Sequence, residues 1–271
     1  MSKVIFELKD IYFSYLGKFP ALHALDFTIE QGQRVAIIGA NGCGKSTLLH
    51  LLDGLIFADR GNVKFQGREF KESDFEDEGF AKSFRKSIGL VFQNPDVQLF
   101  SPTVREDILF GPLQLGFEKK EMHKRFDELI TILNIESLLE RSPHQLSIGE
   151  KRKVALASSL IINPDLLLLD EPTAGLDPLT TRHIMDLLIQ ANAAGKTIIT
   201  STHDLHIVEE IADTVYVFGR NRSIVRQGSA ELILNDTELL AENNLVHIHA
   251  HRHKDKTHIH PHAHLDHHSD S

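Results

Sequence analysis

Apolar residues fall in short runs along this chain, and their spacing switches between two periods. Val4–Tyr15 and residues 21–30 are rich in β-branched and aromatic side chains, and Gly17-Lys-Phe-Pro20 separates them, which predicts an antiparallel pair. Residues 34–38, 88–92 and 166–169 are nearly unbroken apolar runs, the mark of strands buried on both faces. Residues 62–66, 197–201 and Thr214–Phe218 add shorter strands. Helical spacing fills the gaps, at 104–115, Lys119–Leu133, 150–162, 179–194 and Leu205–Ile211. Strand alternating with helix implies an α/β fold with a mixed, mostly parallel sheet covered on both faces.

A chain of 271 residues, 41% hydrophobic and 25% charged, can bury a core of its own as one large domain with a small appendage. No apolar run approaches the roughly 18 residues that cross a bilayer. Residues 1–7 lack the apolar core of a signal peptide, so a cytosolic location is expected. The net charge of −9 argues against nucleic-acid binding, which needs a basic face. Residues 71–78 are strongly acidic and read as a solvated insertion. A short helical extension is expected at 230–243. From His247 onward the composition changes, and no core-forming pattern remains. The expected division is therefore a nucleotide-binding domain over 1–228 with a helical subdomain at about 94–163, an extension over 229–246, and a disordered histidine-rich tail over 247–271.

Gly39, Ala40, Asn41, Gly42, Cys43, Gly44, Lys45, Ser46 and Thr47 match the template G-x-x-x-x-G-K-[ST], between the strand at 34–38 and a helix over 46–52. Glycines let successive N–H groups turn inward around an anion, and the helix N-terminus favours negative charge there. Lys45 is spaced to reach the β- and γ-phosphates of a nucleoside triphosphate, and the Ser46 hydroxyl to ligate Mg²⁺. Cys43, the single cysteine, permits two readings. It is a small residue filling a tight turn, or a thiol whose alkylation blocks nucleotide binding and which bound ATP protects.

The run 166–169 ends in Asp170 and Glu171, two carboxylates delivered by one buried strand. Asp170 can hold Mg²⁺, and Glu171 can polarise a water as general base. Gln93 and His203 follow two other predicted strands in the same fashion. Ser147 and Gly149 precede a helix and offer a hydroxyl and N–H groups as a second anion site.

In this order the motifs resemble the ATP-binding cassette (ABC) ATPases over roughly residues 4–228. The resemblance implies a P-loop NTPase fold with an antiparallel β subdomain and a helical subdomain. It assigns a glutamine loop at Gln93, with Gln93 on Mg²⁺ beside Ser46 and Asp170. It also assigns a signature at 146–150, a catalytic Glu171, a D-loop at 174–177, a switch histidine at His203 and an adenine-stacking aromatic at Tyr15. Tyr15 also reads as a strand-end core aromatic. In that family two cassettes sandwich two ATP molecules, so Ser147 and Gly149 of one subunit face the phosphate held by Lys45 of the other. Ile148 and Glu150 depart from the family signature. A side chain at 148 is tolerated only at negative φ, and Glu150 carries negative charge towards a triphosphate.

Residues 91–100 look like the same segment of energy-coupling-factor importers and of cobalt or nickel transport ATPases. The resemblance implies docking on a separate transmembrane subunit through Asp96, Gln98, Leu99 and Phe100, unless that loop merely packs on the helical subdomain. It further implies a second copy or a paralogous ATPase as partner, and a peripheral place on the cytoplasmic face of the membrane. The tail holds 10 of the 17 histidines, including His247, His249, His251, His253, His258, His260, His262 and His264. Imidazole binds Ni²⁺, Co²⁺ and Zn²⁺, and because these histidines alternate with other residues instead of forming the uninterrupted run of an affinity tag, a metal-binding tail is expected. The expected function is an ATPase driving nickel or cobalt import. A vitamin importer would use the same cassette, and a soluble ABC ATPase would need a coiled-coil insertion or a second phosphate loop that this chain lacks.

Overall fold

A computed structural model describes the backbone of residues 3–253 and 256–263, and the side chains of residues 3–246. The chain opens with β1 (Val4–Tyr15) antiparallel to β2 (Phe19–Glu30), then runs through β3 (Arg34–Gly39) into α1 (Lys45–Leu52). β4 (Arg60–Phe65) and β5 (Arg68–Glu69) return to the first sheet, giving the antiparallel order β2-β1-β4-β5. Next come α2 (Glu78–Ser87), β6 (Ile88–Val91) and three consecutive helices, α3 (Val104–Gln114), α4 (Lys119–Leu133) and α5 (Ile148–Leu160). β7 (Leu166–Asp170), α6 (Pro178–Ala193), β8 (Thr197–Thr202), α7 (Leu205–Ile211), β9 (Thr214–Phe218) and β10 (Ile224–Ser229) complete a six-stranded sheet ordered β10-β9-β3-β8-β7-β6. Only β10 runs antiparallel there.

The period of two along β7 divides the core. Leu166 and Leu168 face α1 and the antiparallel sheet, while Leu167 and Leu169 face the helices α3–α6. A third cluster packs Ala36 and Ile38 of β3 against α7 and the C-terminal helices α8 (Ala230–Leu234) and α9 (Thr237–Glu242). The expected single helix at 230–243 is thus two, because Asn235 ends the first and Asp236 caps the second through Leu239 N. α4 buries Met122, Phe126, Ile130 and Leu133 on one stripe and stops at Asn134, whose φ of 52° suits that residue type.

The acidic stretch 71–78 differs from the sequence reading. Its carboxylates face solvent, cap α2 through Asp77 or, at Asp74, pair with Arg68, but Phe75 inserts among Phe57, Phe70, Phe80 and Phe84, with ring centroids 5.1–5.6 Å away. The surrounding charge hid one half-buried aromatic anchor. β11 (Val246–His253) and β12 (Lys256–Ala263) pair antiparallel where no regular structure was expected. The period-two H-x-H alternation is also a strand pattern. No helix among the described residues is long and apolar enough to cross a membrane.

Candidate functional site

Parallel pairing brings the C-terminal ends of β3, β8, β7 and β6 to one edge of the sheet, the usual place for a ligand in an open α/β sheet. There the phosphate loop, Gln93 and Glu171 line one cleft of about 500 Å³ together with Tyr15. Gly44 sits at φ 118° with Ala21 O only 2.5 Å from where a Cβ would fall, so no other residue fits that turn. The loop presents Asn41, Gly42, Gly44, Lys45, Ser46 and Thr47 to the cleft. Lys45 is buried, and its Nζ donates to Gly39 O at 2.8 Å and Ala40 O at 3.3 Å. Gly39 and Ala40 therefore serve through their carbonyls. Tyr15 lines the cleft with its hydroxyl 3.3 Å from Thr47 Oγ1, while its ring meets Phe13 edge-on. At 41% exposure it is not the core aromatic of the alternative reading.

Cys43 takes only one of its two readings. Its backbone belongs to the loop, but the side chain is 4% exposed, and Sγ fills the space that a Cβ on Gly39 would need. Burial pushes the thiol up from its ordinary value, so the thiolate that alkylation requires is scarce and shielded by the fold itself.

Asp170 and Glu171 are both buried at the end of β7. Ser201 Oγ donates to Asp170 Oδ1. Glu171 stands at φ 46°, a left-handed conformation that costs a non-glycine residue about 1–3 kcal/mol and recurs where geometry matters for function. Its Oε1 lies 3.0 Å from His203 Nδ1 and 3.9 Å from Lys45 Nζ. One carboxylate thus joins the phosphate loop to the residue after β8. Ser46 and Gln93 line the cleft, whereas Asp170 is buried at the end of β7 and is not among the lining residues; each offers an oxygen donor, the chemistry that a hard cation such as Mg²⁺ prefers.

Ser147 and Gly149 do not line this cleft. Ser147 caps α5, and Glu150 closes a reciprocal box: Ser147 N and Oγ donate to Glu150 at 2.7 and 2.8 Å. These bonds hold the Glu150 carboxyl below its ordinary range. Ile148 is exposed and is not among the positive-φ residues, so it sits at the helix start without the strain feared from sequence. On the docking segment, Leu99 is 3% exposed and Gln98 donates to Ala155 O and Ser159 Oγ. Asp96 pairs with Lys151. Phe100 alone of the four is a large exposed apolar group, at 65%, with its ring 4.9 Å from that of exposed Phe110; Val97 and Leu113 are exposed as well. The eight tail histidines from His247 to His264 lie outside the residues whose side chains are described.

Two arginines escaped the sequence reading. Arg152 of α5 reaches Glu171 and is treated below. Arg222, in the turn between β9 and β10, lines the cleft together with Tyr15 and Phe19. The bond from His23 N to Arg222 O at 3.0 Å holds that turn against β2. The only signal was a turn-like Gly219-Arg-Asn-Arg-Ser223, which says nothing about a cleft formed by distant strands. Arg222→Ala is expected to weaken ADP and ATP equally, about three- to tenfold, because the nucleoside end is common to both. Titration with each nucleotide checks this, and a loss confined to ATP would place Arg222 at the γ-phosphate instead.

Comparison with known proteins identifies the family to which this fold belongs. The ABC transporter family matches residues 22–174. The nickel import ATP-binding protein NikO of Rhodobacter capsulatus is 47% identical over 244 residues, covering 89% of this chain and 95% of that one. The structure of cbiO1 from Clostridium perfringens, part of the transporter complex cbiONQ, superposes with a TM-score of 0.75 at 36% identity, covering 90% of this chain and 95% of that one. A dimeric post-hydrolysis cassette, MJ0796 bound to ADP and Pi, gives a TM-score of 0.74 at 28% identity over 83% of this chain and 99% of that one.

Proposed function

The chain belongs to the ABC transporter family as an ATP-binding cassette with that family's ATPase fold, and from this premise we propose that it energises a multi-subunit importer of nickel or cobalt ions. The observation that carries the ATPase mechanism is the Glu171 carboxylate, buried at the cleft between His203 and Lys45. Lys45 and the loop N–H groups bind the triphosphate. Ser46, Asp170 and Gln93 would hold Mg²⁺, which supplies positive charge to the phosphate oxygens when bound. Glu171 takes the proton of the attacking water, and His203 orients the Glu171 carboxylate and senses the γ-phosphate.

A dimer follows from the separation of Ser147 and Gly149 from their own cleft, supported by the dimeric relative. Each chain completes the other's site, as a homodimer or with a paralogue. The exposed group of Val97, Phe100, Phe110 and Leu113 is the surface offered to transmembrane subunits, which makes the protein peripheral on the cytoplasmic face of the membrane. The net charge of −9 argues against nucleic acid as a partner.

The similarity to NikO and cbiO1 and the histidine-rich tail support the metal cargo. Neutral imidazole is the binding form, so the tail should take up Ni²⁺, Co²⁺ or Zn²⁺ above about pH 6.5 and release it as the pH falls below that. The test is uptake of radioactive nickel and cobalt by vesicles holding this chain assembled with its transmembrane subunits. ATP-dependent uptake that Glu171→Gln abolishes is expected. An assembled, ATP-hydrolysing complex that moves neither ion would sink the metal reading in favour of a vitamin cargo.

A further inference from the structure

Arg152 is 4% exposed, yet it meets no carboxylate within hydrogen-bonding range among the described residues. Its Nη1 donates to the Glu171 carbonyl at 2.7 Å, and its Nη2 to the Ala174 carbonyl at 3.4 Å. Its Nε is buried without a partner. Burial pulls the guanidinium below its ordinary value, while the charges of Glu171 and Asp170 oppose that pull. A guanidinium stays charged at any working pH, so a buried charge is committed here to two backbone carbonyls. Such an arrangement carries a desolvation cost that its two carbonyl bonds offset only in part.

What it enforces is the peptide of Glu171. The Glu171 N–H is held by Ser201 O at 3.0 Å on β8, and its C=O by Arg152. Clamped on both sides, the residue keeps its left-handed φ, which directs the carboxylate at His203 and Lys45. Arg152 also lies five residues along α5 from Ser147, a rise of about 7.5 Å on a rigid helix. One end of that short lever is exposed away from its own cleft, and the other holds the backbone carbonyl of the residue whose carboxylate lies inside it.

We infer that Arg152 is a positioning residue that ties Glu171 to the Ser147 end of α5, so that engagement of Ser147 by a partner's nucleotide sets the carboxylate in the chain's own cleft. This rests on the dimer proposed above. Through it, occupancy of one ATP site governs turnover at the other, a coupling carried by one helix and two hydrogen bonds.

The experiment measures ATP binding, and ATP hydrolysis against ATP concentration, for the purified full chain and for Arg152→Met and Arg152→Lys. Wild type is expected to hydrolyse cooperatively, with a Hill coefficient above one that Ser147→Ala removes. Arg152→Met should bind ATP within about twofold of wild type, lose at least tenfold in kcat, and show a Hill coefficient near one. Arg152→Lys keeps the charge but reaches one carbonyl, so it should recover part of kcat with weakened cooperativity. A fall in kcat with cooperativity intact would make Arg152 merely structural and overturn the inference. Should the Met variant not fold, a folded Lys variant with wild-type kcat and Hill coefficient overturns it equally. Wild type without cooperativity and insensitive to Ser147→Ala would sink the dimer reading, and this inference with it. Cooperative wild type with unaffected Arg152 variants would sink the inference alone.

Discussion

Exchange of Glu171 for Gln is expected to lower steady-state ATP hydrolysis by about two to four orders of magnitude while ATP binding survives. The amide has the volume and shape of the carboxylate, so the buried position at the end of β7 and the bond from Arg152 to its carbonyl are retained. What is lost is the ability to accept a proton. The substitution also removes a negative charge 3.9 Å from Lys45 Nζ, where the phosphates gather. ATP should therefore bind at least as tightly, and the dimer should persist in its presence. Hydrolysis assays, with chromatography in the presence of ATP, test both halves. Turnover close to wild type would refute Glu171 as the base, and loss of ATP binding would mean that the change had disturbed the loop instead.

Lys45→Met has the second large effect, and it acts at the binding step. The Met side chain follows the stem of Lys45 along the loop, which separates the effect of charge from that of packing. Lys45 Nζ already lies among oxygen acceptors, at Gly39 O and Ala40 O. Triphosphate oxygens offer it charged partners in their place. A charge-assisted hydrogen bond contributes about 1.5–3 kcal/mol, so ATP affinity should fall about ten- to a hundredfold. Hydrolysis should drop to background. Calorimetric titration reads the affinity, and a melting temperature close to wild type shows that the loop still folds. Affinity within twofold of wild type would remove Lys45 from the phosphate site.

Much of the architecture is written in local pattern. The boundaries of Val4–Tyr15, Lys119–Leu133, Leu205–Ile211 and Thr214–Phe218 match the elements observed, because alternation, helical spacing and breakers at their ends agree. Other elements carried weaker signals. β10 is half exposed along an edge, and α2 is a ten-residue helix whose acidic approach disguised Phe75. Leu99 stands in an apolar segment that reads as a docking surface, but which of Leu99 and Phe100 is buried depends on α5 packing from more than 50 residues away.

The sequence by itself determined the phosphate loop, the two carboxylates ending one strand, and Gln93 and His203 ending two others. Each is a short-range arrangement in which a residue type and its distance from an apolar run dictate the chemistry. Only the tertiary structure decided the rest. It turned the Cys43 thiol into the core, set Arg222 in the lining of the cleft, parted Ser147 from Lys45, and laid Arg152 against the Glu171 carbonyl. These contacts join residues that are distant along the chain, or choose between two faces of one turn. Side-chain identity and spacing carry no record of such a choice, because the packing of whole elements makes it.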